Sequence, residues 1–228
     1  MEHNIFHRAE LLLGSNALER IGQLRVIVFG VGGVGSWCAE ALVRTGVSHL
    51  TVVDSDCVDP TNVNRQLMAT AKTLGQPKVE ALCQRLLDIN PEAHVTPLQA
   101  TFCEETAPQF QLDSYDYVID AIDSLKDKAQ LILTATQTQA KLYSSMGAAK
   151  KTDPSRIRTT EFWKVEGDPL ARSLRRRFKA MGRFPEQKFQ CVYSDEPLAD
   201  SSPSKGSLVH ITAIFGFTLA SLVIRDAA

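Results

Sequence analysis

The residues whose types and spacing could do chemistry crowd into the first half of a 228-residue chain. The run "RVIVFGVGGVGSWCAEAL" sets Gly30, Gly32 and Gly35 at G-x-G-x-x-G spacing, with Gly33 as a fourth glycine. Missing side chains there let backbone N–H groups and a helix amino end approach a phosphate. Asp54 ends the next strand, where an acid can grip a ribose. Any dinucleotide would suit these residues, and a glycine turn can also serve strand–helix packing alone. The stretch "DSDCVDPTNVNRQL" narrows the choice. Hydride transfer makes no use of charge on a terminal phosphate, whereas Arg65 is a permanent, bidentate phosphate-binding cation. Asn62, Asn64 and Gln66 add neutral donors for phosphate oxygens or ribose. Lys78 adds a point charge at a helix start, and Asp123, ending a later strand, is a candidate magnesium ligand. Singly, each would read as a solvated surface charge. Together they describe ATP cleaved at phosphorus.

The elements that must hold these residues alternate in kind. "RVIVFG" reads as a buried strand, Ser36 to Thr45 as a helix stopped by Gly46, and "HLTVVD" as a second strand. Lys78 to Asp88 is helical behind Pro77, "AHVTPLQA" is a third strand and "YDYVIDAID" a fourth. Asp127 to Ala140 is again helical, and "KLYSSMGA" is a fifth strand. The alternation predicts an α/β fold with a Rossmann-like, doubly wound, mostly parallel sheet. Ligands on such sheets sit beyond the strand carboxyl ends, where Gly32, Asp54 and Asp123 converge. Residues 5–23 read as an N-terminal helical arm, with Ile5, Leu12, Leu13, Leu18 and Ile21 as its apolar contacts. After Ala149 come a polar turn and strand in "KKTDPSRIRTTEFWKV", then the helix "GDPLARSLRRRFKAMG". Asp168 caps that helix, Pro169 opens it and Gly182 ends it. Leu170, Leu174, Phe178 and Met181 share its apolar face, and "DEPLADSSPSKGS" is a loop by composition. The chain reads as a single domain, 1–228. About 24–150 form the nucleotide-binding core, and 151–228 a short C-terminal extension for substrate binding and dimerisation.

Composition sets the bounds. A hydrophobic share of 44% with 22% charged residues belongs to soluble globular proteins. Cys38, Cys57, Cys83, Cys103 and Cys191 make no C-x-x-C pair, which argues against a zinc knuckle and a disulfide scaffold. No signal segment precedes the core, so the cytoplasm is the expected location. Ser207 to Ile224 is almost free of charge, but His210, Thr212, Gly216, Thr218 and Ser221 make it a poor membrane span. It is expected in the core or at a subunit interface, without stable membrane insertion; peripheral membrane association stays open. Net charge is −1, yet Lys141 to Gln190 holds 13 Lys+Arg against 5 Asp+Glu, a surplus of +8. Such asymmetry points to a polyanionic partner, with Arg172, Arg175, Arg176, Arg177 and Lys179 as its candidate contacts. A solvated helix face is the plain alternative.

"GVGGVGSWCAEALVRTG", "DSDCVDPTNVNRQ", "GQPK" and "VIDAIDS" together resemble the E1-like, ATP-dependent adenylating enzymes, which include the ubiquitin-activating, ThiF and MoeB proteins. The resemblance implies that Asp54 and Asp56 hold the adenosine ribose, and Asn64, Arg65 and Gln66 the triphosphate. It implies that Lys78 stabilises the α-phosphate under attack and that Asp123, with Ser124 beside it, serves magnesium and nucleotide. Arg8 falls where relatives place an arginine that enters a neighbouring subunit's ATP site, implying a homodimer. The chemistry turns a carboxylate into an acyl adenylate and releases pyrophosphate.

Adding "DAIDSLKDK", "DPLARSLRRR", "CVYSDE" and "ITAIFGF" extends the resemblance, over nearly the whole chain, to the bacterial tRNA threonylcarbamoyladenosine dehydratases, the TcdA group. This implies tRNA rather than DNA as partner, and ATP with Mg2+ as cofactors. A monovalent cation and a sulfur-transfer protein are further candidates. In that group the carboxylate of threonylcarbamoyladenosine at position 37 is adenylated and then attacked intramolecularly, closing a ring. The alternative is activation of a ubiquitin-like or sulfur-carrier protein C-terminus. Cys191 is a candidate site residue without a catalytic role, since no sequence feature lowers its pKa and ring closure needs no enzyme nucleophile.

Overall fold

The computed structural model describes residues 4–197 and 206–228, so residues 198–205 of the long loop lie outside the described residues. β1 (Arg25–Phe29) is a continuous β-branched and aromatic run, and Val26 to Phe29 are fully buried. It lies parallel between β2 (His49–Val53) and β4 (Tyr117–Asp120), with Phe29 opposite both Val53 and Asp120. The sheet runs β3-β2-β1-β4-β5-β7-β6. β3 (His94–Leu98) is one edge, where Pro97 leaves no ladder partner wanting its N–H. β5 (Lys141–Ser145) and β7 (Gln190–Ser194) continue the parallel pairing, and β6 (Ile157–Glu161) closes the other edge antiparallel. The strand order reverses direction between β1 and β4, which makes their carboxyl ends the topological switch point.

Alternation along β1 splits the core between two faces. Val26 and Val28 point to α3 (Gly35–Arg44), α4 (Lys78–Ile89) and α7 (Val209–Ala227), among Leu42, Leu82 and Phe215. Ile27 and Phe29 point to α5 (Leu125–Ala135) and α6 (Pro169–Met181), among Leu131, Phe178 and Cys191. α7 is long and apolar enough to cross a membrane. In this fold it packs along α3 through Ile211, Phe215, Leu219 and Val223, all fully buried. The two helices approach so closely that a Cβ on Gly216 would sit 2.4 Å from the Val34 carbonyl oxygen.

Several boundaries differ from the sequence reading. α5 starts at Leu125 and stops at Ala135 rather than Ala140, because the Thr136 and Thr138 hydroxyls donate to the Ile132 and Ala135 carbonyls and break the run. β7 went unread. It lies in the same sheet as β1, β2 and β4, so the segment after residue 151 is woven into the core. The arm is two helices, α1 (His7–Leu13) and α2 (Ser15–Gln23). Ile21 is buried as expected, whereas Ile5 and Leu12 are exposed with Leu11. On α6, Ala171 joins Leu174 and Phe178 in the core, and Met181 is exposed.

Candidate active site

The turn after β1 and the loop after β4 open onto one cavity of about 810 Å³ at the switch point. Gly30 has φ +81°, and a Cβ there would lie 2.7 Å from the Ala121 carbonyl oxygen. A Cβ on Gly35 would overlap the Gly30 carbonyl at 1.9 Å. Gly35 therefore closes the turn between β1 and α3 and does not line the cavity. Gly32 and Gly33 do line it, and the bare Cα of Gly33 leaves room for Thr212 of α7 and the Arg65 side chain.

Asp54 forms another wall. Its Oδ2 accepts the Val31 N–H at 2.8 Å and its Oδ1 the Asp56 N–H at 3.0 Å. Burial pushes this carboxyl above its ordinary pKa, against the lowering pull of the Asp56 amide, Lys78 and the Val31 amide. The Lys78 ammonium lies 2.7 Å from Asp56 Oδ2 and 3.9 Å from Asp54 Oδ1. Lys78 is buried while the Asp56 side chain is 65% exposed, so the acid can leave the lysine to an incoming phosphate.

Arg65 and Gln66 line the same cavity. The turn before them is capped reciprocally: Asp59 accepts the Thr61 N–H, and Asn62 Oδ1 accepts the Asp59 N–H. This corrects the reading of Asn62 as a nucleotide donor, because the side chain is buried in the turn and does not line the cavity. Asn64 also stands outside the lining, its Nδ2 donating to the Ser207 carbonyl at 2.9 Å and its Oδ1 accepting from Arg65 at 2.9 Å. It orients Arg65 and the entry to α7. Gln66 is buried with Oε1 lacking a partner among the described residues, an acceptor open to a ligand hydroxyl or amino group.

Asp123 stands exposed on the cavity wall, with no hydrogen bond or ion pair among the described residues. Ser124 lines the cavity and caps α5, accepting the Asp127 N–H. A carboxylate on a wall shared with Arg65 and Lys78 is the donor that magnesium takes together with phosphate oxygens and water, so Asp123 suits that ion.

The sequence reading missed what carries Asp123. Lys128 Nζ lies 2.8 Å from Asp120 Oδ2, and neither side chain is exposed. The same ammonium donates to the Ile122 carbonyl, while Asp120 accepts the Ile122 N–H and the Ser144 hydroxyl. Both polar groups of the residue before Asp123 are thus tied to one buried pair. A signal existed: Lys128 falls on the apolar stripe of α5 with Leu131, Ile132 and Ala135, where a cation needs a partner.

The amino end of α6 reaches the cavity through Pro169, Leu170 and Ser173. Asp168 caps it, accepting the N–H groups of Ala171 at 2.8 Å and of Gly147 at 3.0 Å, and so ties α6 to the loop after β5. Arg175, read as a tRNA contact, is corrected: its guanidinium donates to the Phe162 and Val165 carbonyls and sits 5.5 Å over the Phe162 ring. Arg177 is also withdrawn from the surface, half-buried with Nε lacking a partner among the described residues. Arg172, Arg176 and Lys179, at i, i+4 and i+7, are exposed on one face. Cys191 is fully buried in β7 and burial pushes its thiol well up, which suits no nucleophile. Arg8 is exposed on α1 and does not line this cavity.

With this geometry in place, comparison with known proteins is decisive. The ThiF family matches residues 6–225. The chain belongs to the ThiF family. Among ThiF-type relatives, the tRNA threonylcarbamoyladenosine dehydratase of Bacillus subtilis (strain 168) is 45% identical, over 84% of this chain and 74% of its own length. A crystal structure of the Escherichia coli tRNA N6-threonylcarbamoyladenosine dehydratase, TcdA, in complex with ATP matches with a TM-score of 0.90. It is 36% identical and covers 97% of this chain and 93% of that one. The Escherichia coli molybdopterin-synthase adenylyltransferase is more distant, 32% identical over 70% of this chain and 62% of its own length.

Proposed function

We infer that this ThiF-family chain is an ATP-dependent tRNA threonylcarbamoyladenosine dehydratase. The observation that carries the reading is the likeness to such dehydratases over 97% of the chain, which takes in the β6-α6-β7 region as well as the nucleotide cavity. Activation of a protein carrier is the weaker reading, since the adenylyltransferase likeness leaves out nearly a third of the chain.

On this reading each residue of the cavity has its work. Gly32 and Gly33 admit the polyphosphate, and Asp54 receives the ribose hydroxyls. Arg65 and Lys78 face the charge that builds when the substrate carboxylate attacks the α-phosphorus and pyrophosphate departs. Asp123, helped by Ser124, would hold magnesium, which when bound neutralises phosphate charge. The acyl adenylate then loses AMP to an intramolecular nucleophile, closing the ring.

We also propose a cytoplasmic homodimer in which Arg8 serves the partner's nucleotide. α1 buries none of its residues, and its Leu11 and Leu12 side chains stand in solvent beside Arg8. A sulfur-transfer protein is a further partner suggested by the ThiF kinship. The test of the main reading is to incubate the protein with ATP and either threonylcarbamoyladenosine-bearing tRNA or a carrier protein. AMP and pyrophosphate are expected with the tRNA, together with a tRNA lighter by one water; release with the carrier alone defeats the reading.

A further inference from the structure

We propose that Trp163 and Phe184 form a platform on which the tRNA stacks an unpaired base, while Arg172, Arg176 and Lys179 of α6 hold its phosphates. The proposal rests on the dehydratase reading and locates its RNA. Trp163 is 43% and Phe184 53% exposed, with ring centroids 6.3 Å apart. Single exposed apolar residues are ordinary; two neighbouring large rings on a rigid base are not. Trp163 sits edge-on to Phe162 at 5.0 Å, and Phe162 is buried and stacked on Phe189 at 5.0 Å. The Arg175 guanidinium also sits over the Phe162 ring, 5.5 Å from its centroid. Trp163 therefore rests on a buried aromatic base, with Phe184 beside it, before any partner arrives.

Charge identifies the partner. Lys164 follows Trp163 and Arg183 precedes Phe184, both exposed. Neither they nor Arg172, Arg176 and Lys179 have an ion-pair partner among the described residues. α6 begins at the cavity with Pro169 and Leu170 and ends at Met181, three residues before Phe184. Thirteen helical residues span about 20 Å, so the face leads from the reacting site to the rings. Aromatic faces among unpaired cations are how proteins hold unstacked RNA bases, whereas protein interfaces exclude lone charges from their centres.

The experiment measures steady-state turnover of threonylcarbamoyladenosine-bearing tRNA, with the ATP Kd and oligomeric state determined in parallel. Trp163→Ala and Phe184→Ala are each expected to raise the tRNA KM on the order of tenfold, since each removes a stacking surface. The kcat and ATP Kd should stay at wild-type values, and Trp163→Phe should restore the KM. Phe184, more than half exposed, keeps the test sound if the Trp163 variant folds poorly. A double alanine variant with wild-type tRNA KM overturns the platform and leaves the dehydratase reading intact. If that variant is also dissociated, the rings cover a second copy of the chain instead. A wild-type protein that binds ATP yet releases no AMP with tRNA defeats the dehydratase reading itself.

Discussion

At the scale of single residues, charge placed around one cavity decides the chemistry. Arg65→Ala and Lys78→Ala are each expected to lower kcat by about 10²- to 10³-fold, the usual loss when a group facing transition-state charge is removed. Asp123→Ala should abolish turnover while leaving thermal unfolding unchanged, because the exposed carboxylate makes no hydrogen bond or ion pair among the described residues. Rapid-quench assays of AMP formation beside melting curves check all three. Asp54 adds a pH dependence. Burial raises its pKa above 3.8, so on acidification it takes up its proton at a higher pH than a free aspartate does. Protonation removes an acceptor from the ribose, and ATP affinity should fall along that acid limb. Asp54→Asn should bind ATP more weakly and lose the limb; calorimetry across the acid range reads both.

At the scale of elements, the loop after β4 is only as firm as the buried pair beneath it. Lys128→Met leaves Asp120 buried without its cation and is expected to cost about 3–5 kcal/mol in chemical denaturation. The magnesium concentration needed for turnover should rise as well, since Ile122, next to Asp123, loses the lysine's hold on its carbonyl. A variant with unaltered magnesium dependence would make the pair purely structural. This pair also marks where sequence reading ran out. Strands β1, β2 and β4 were legible because continuous apolar runs ending in Gly or Asp have few other uses. That Arg65, Lys78 and Asp123 share one cavity was legible from the set in its order after a glycine turn, since each alone reads as a solvated charge. Lys128 betrayed a need for a partner by its place on the apolar stripe of α5, but nothing in the sequence said that the partner was Asp120 of β4. β7 escaped because its five residues sit between polar stretches and carry no period of their own. Arg175 misled for a related reason: composition shows the charge, not the two carbonyls that claim it.

At the scale of the whole molecule, the arm raises the question of who completes the site. Mixing Arg8→Ala with Asp123→Ala subunits separates the cases. If Arg8 acts across the interface, each mixed dimer has one intact site and one doubly damaged site, so activity should return on mixing. If Arg8 acts within its own subunit, both sites stay damaged and none returns. Steady-state AMP release before and after subunit exchange decides between them.

The seat of Thr212 beside Gly33 has a consequence in time rather than in space. On a ribosome the glycine turn, Arg65, Lys78 and Asp123 are all made long before α7, yet part of the wall they share is the first turn of that last helix. α3 likewise keeps its apolar flank bare until Phe215 and Gly216 leave the exit tunnel. β5 meanwhile waits for β7 as its neighbour. A nascent chain is therefore expected to hold ATP poorly until α7 has docked beside the glycine turn. Until then the bare flank of α3 and the open edge of β5 are the surfaces on which an unfinished chain would aggregate.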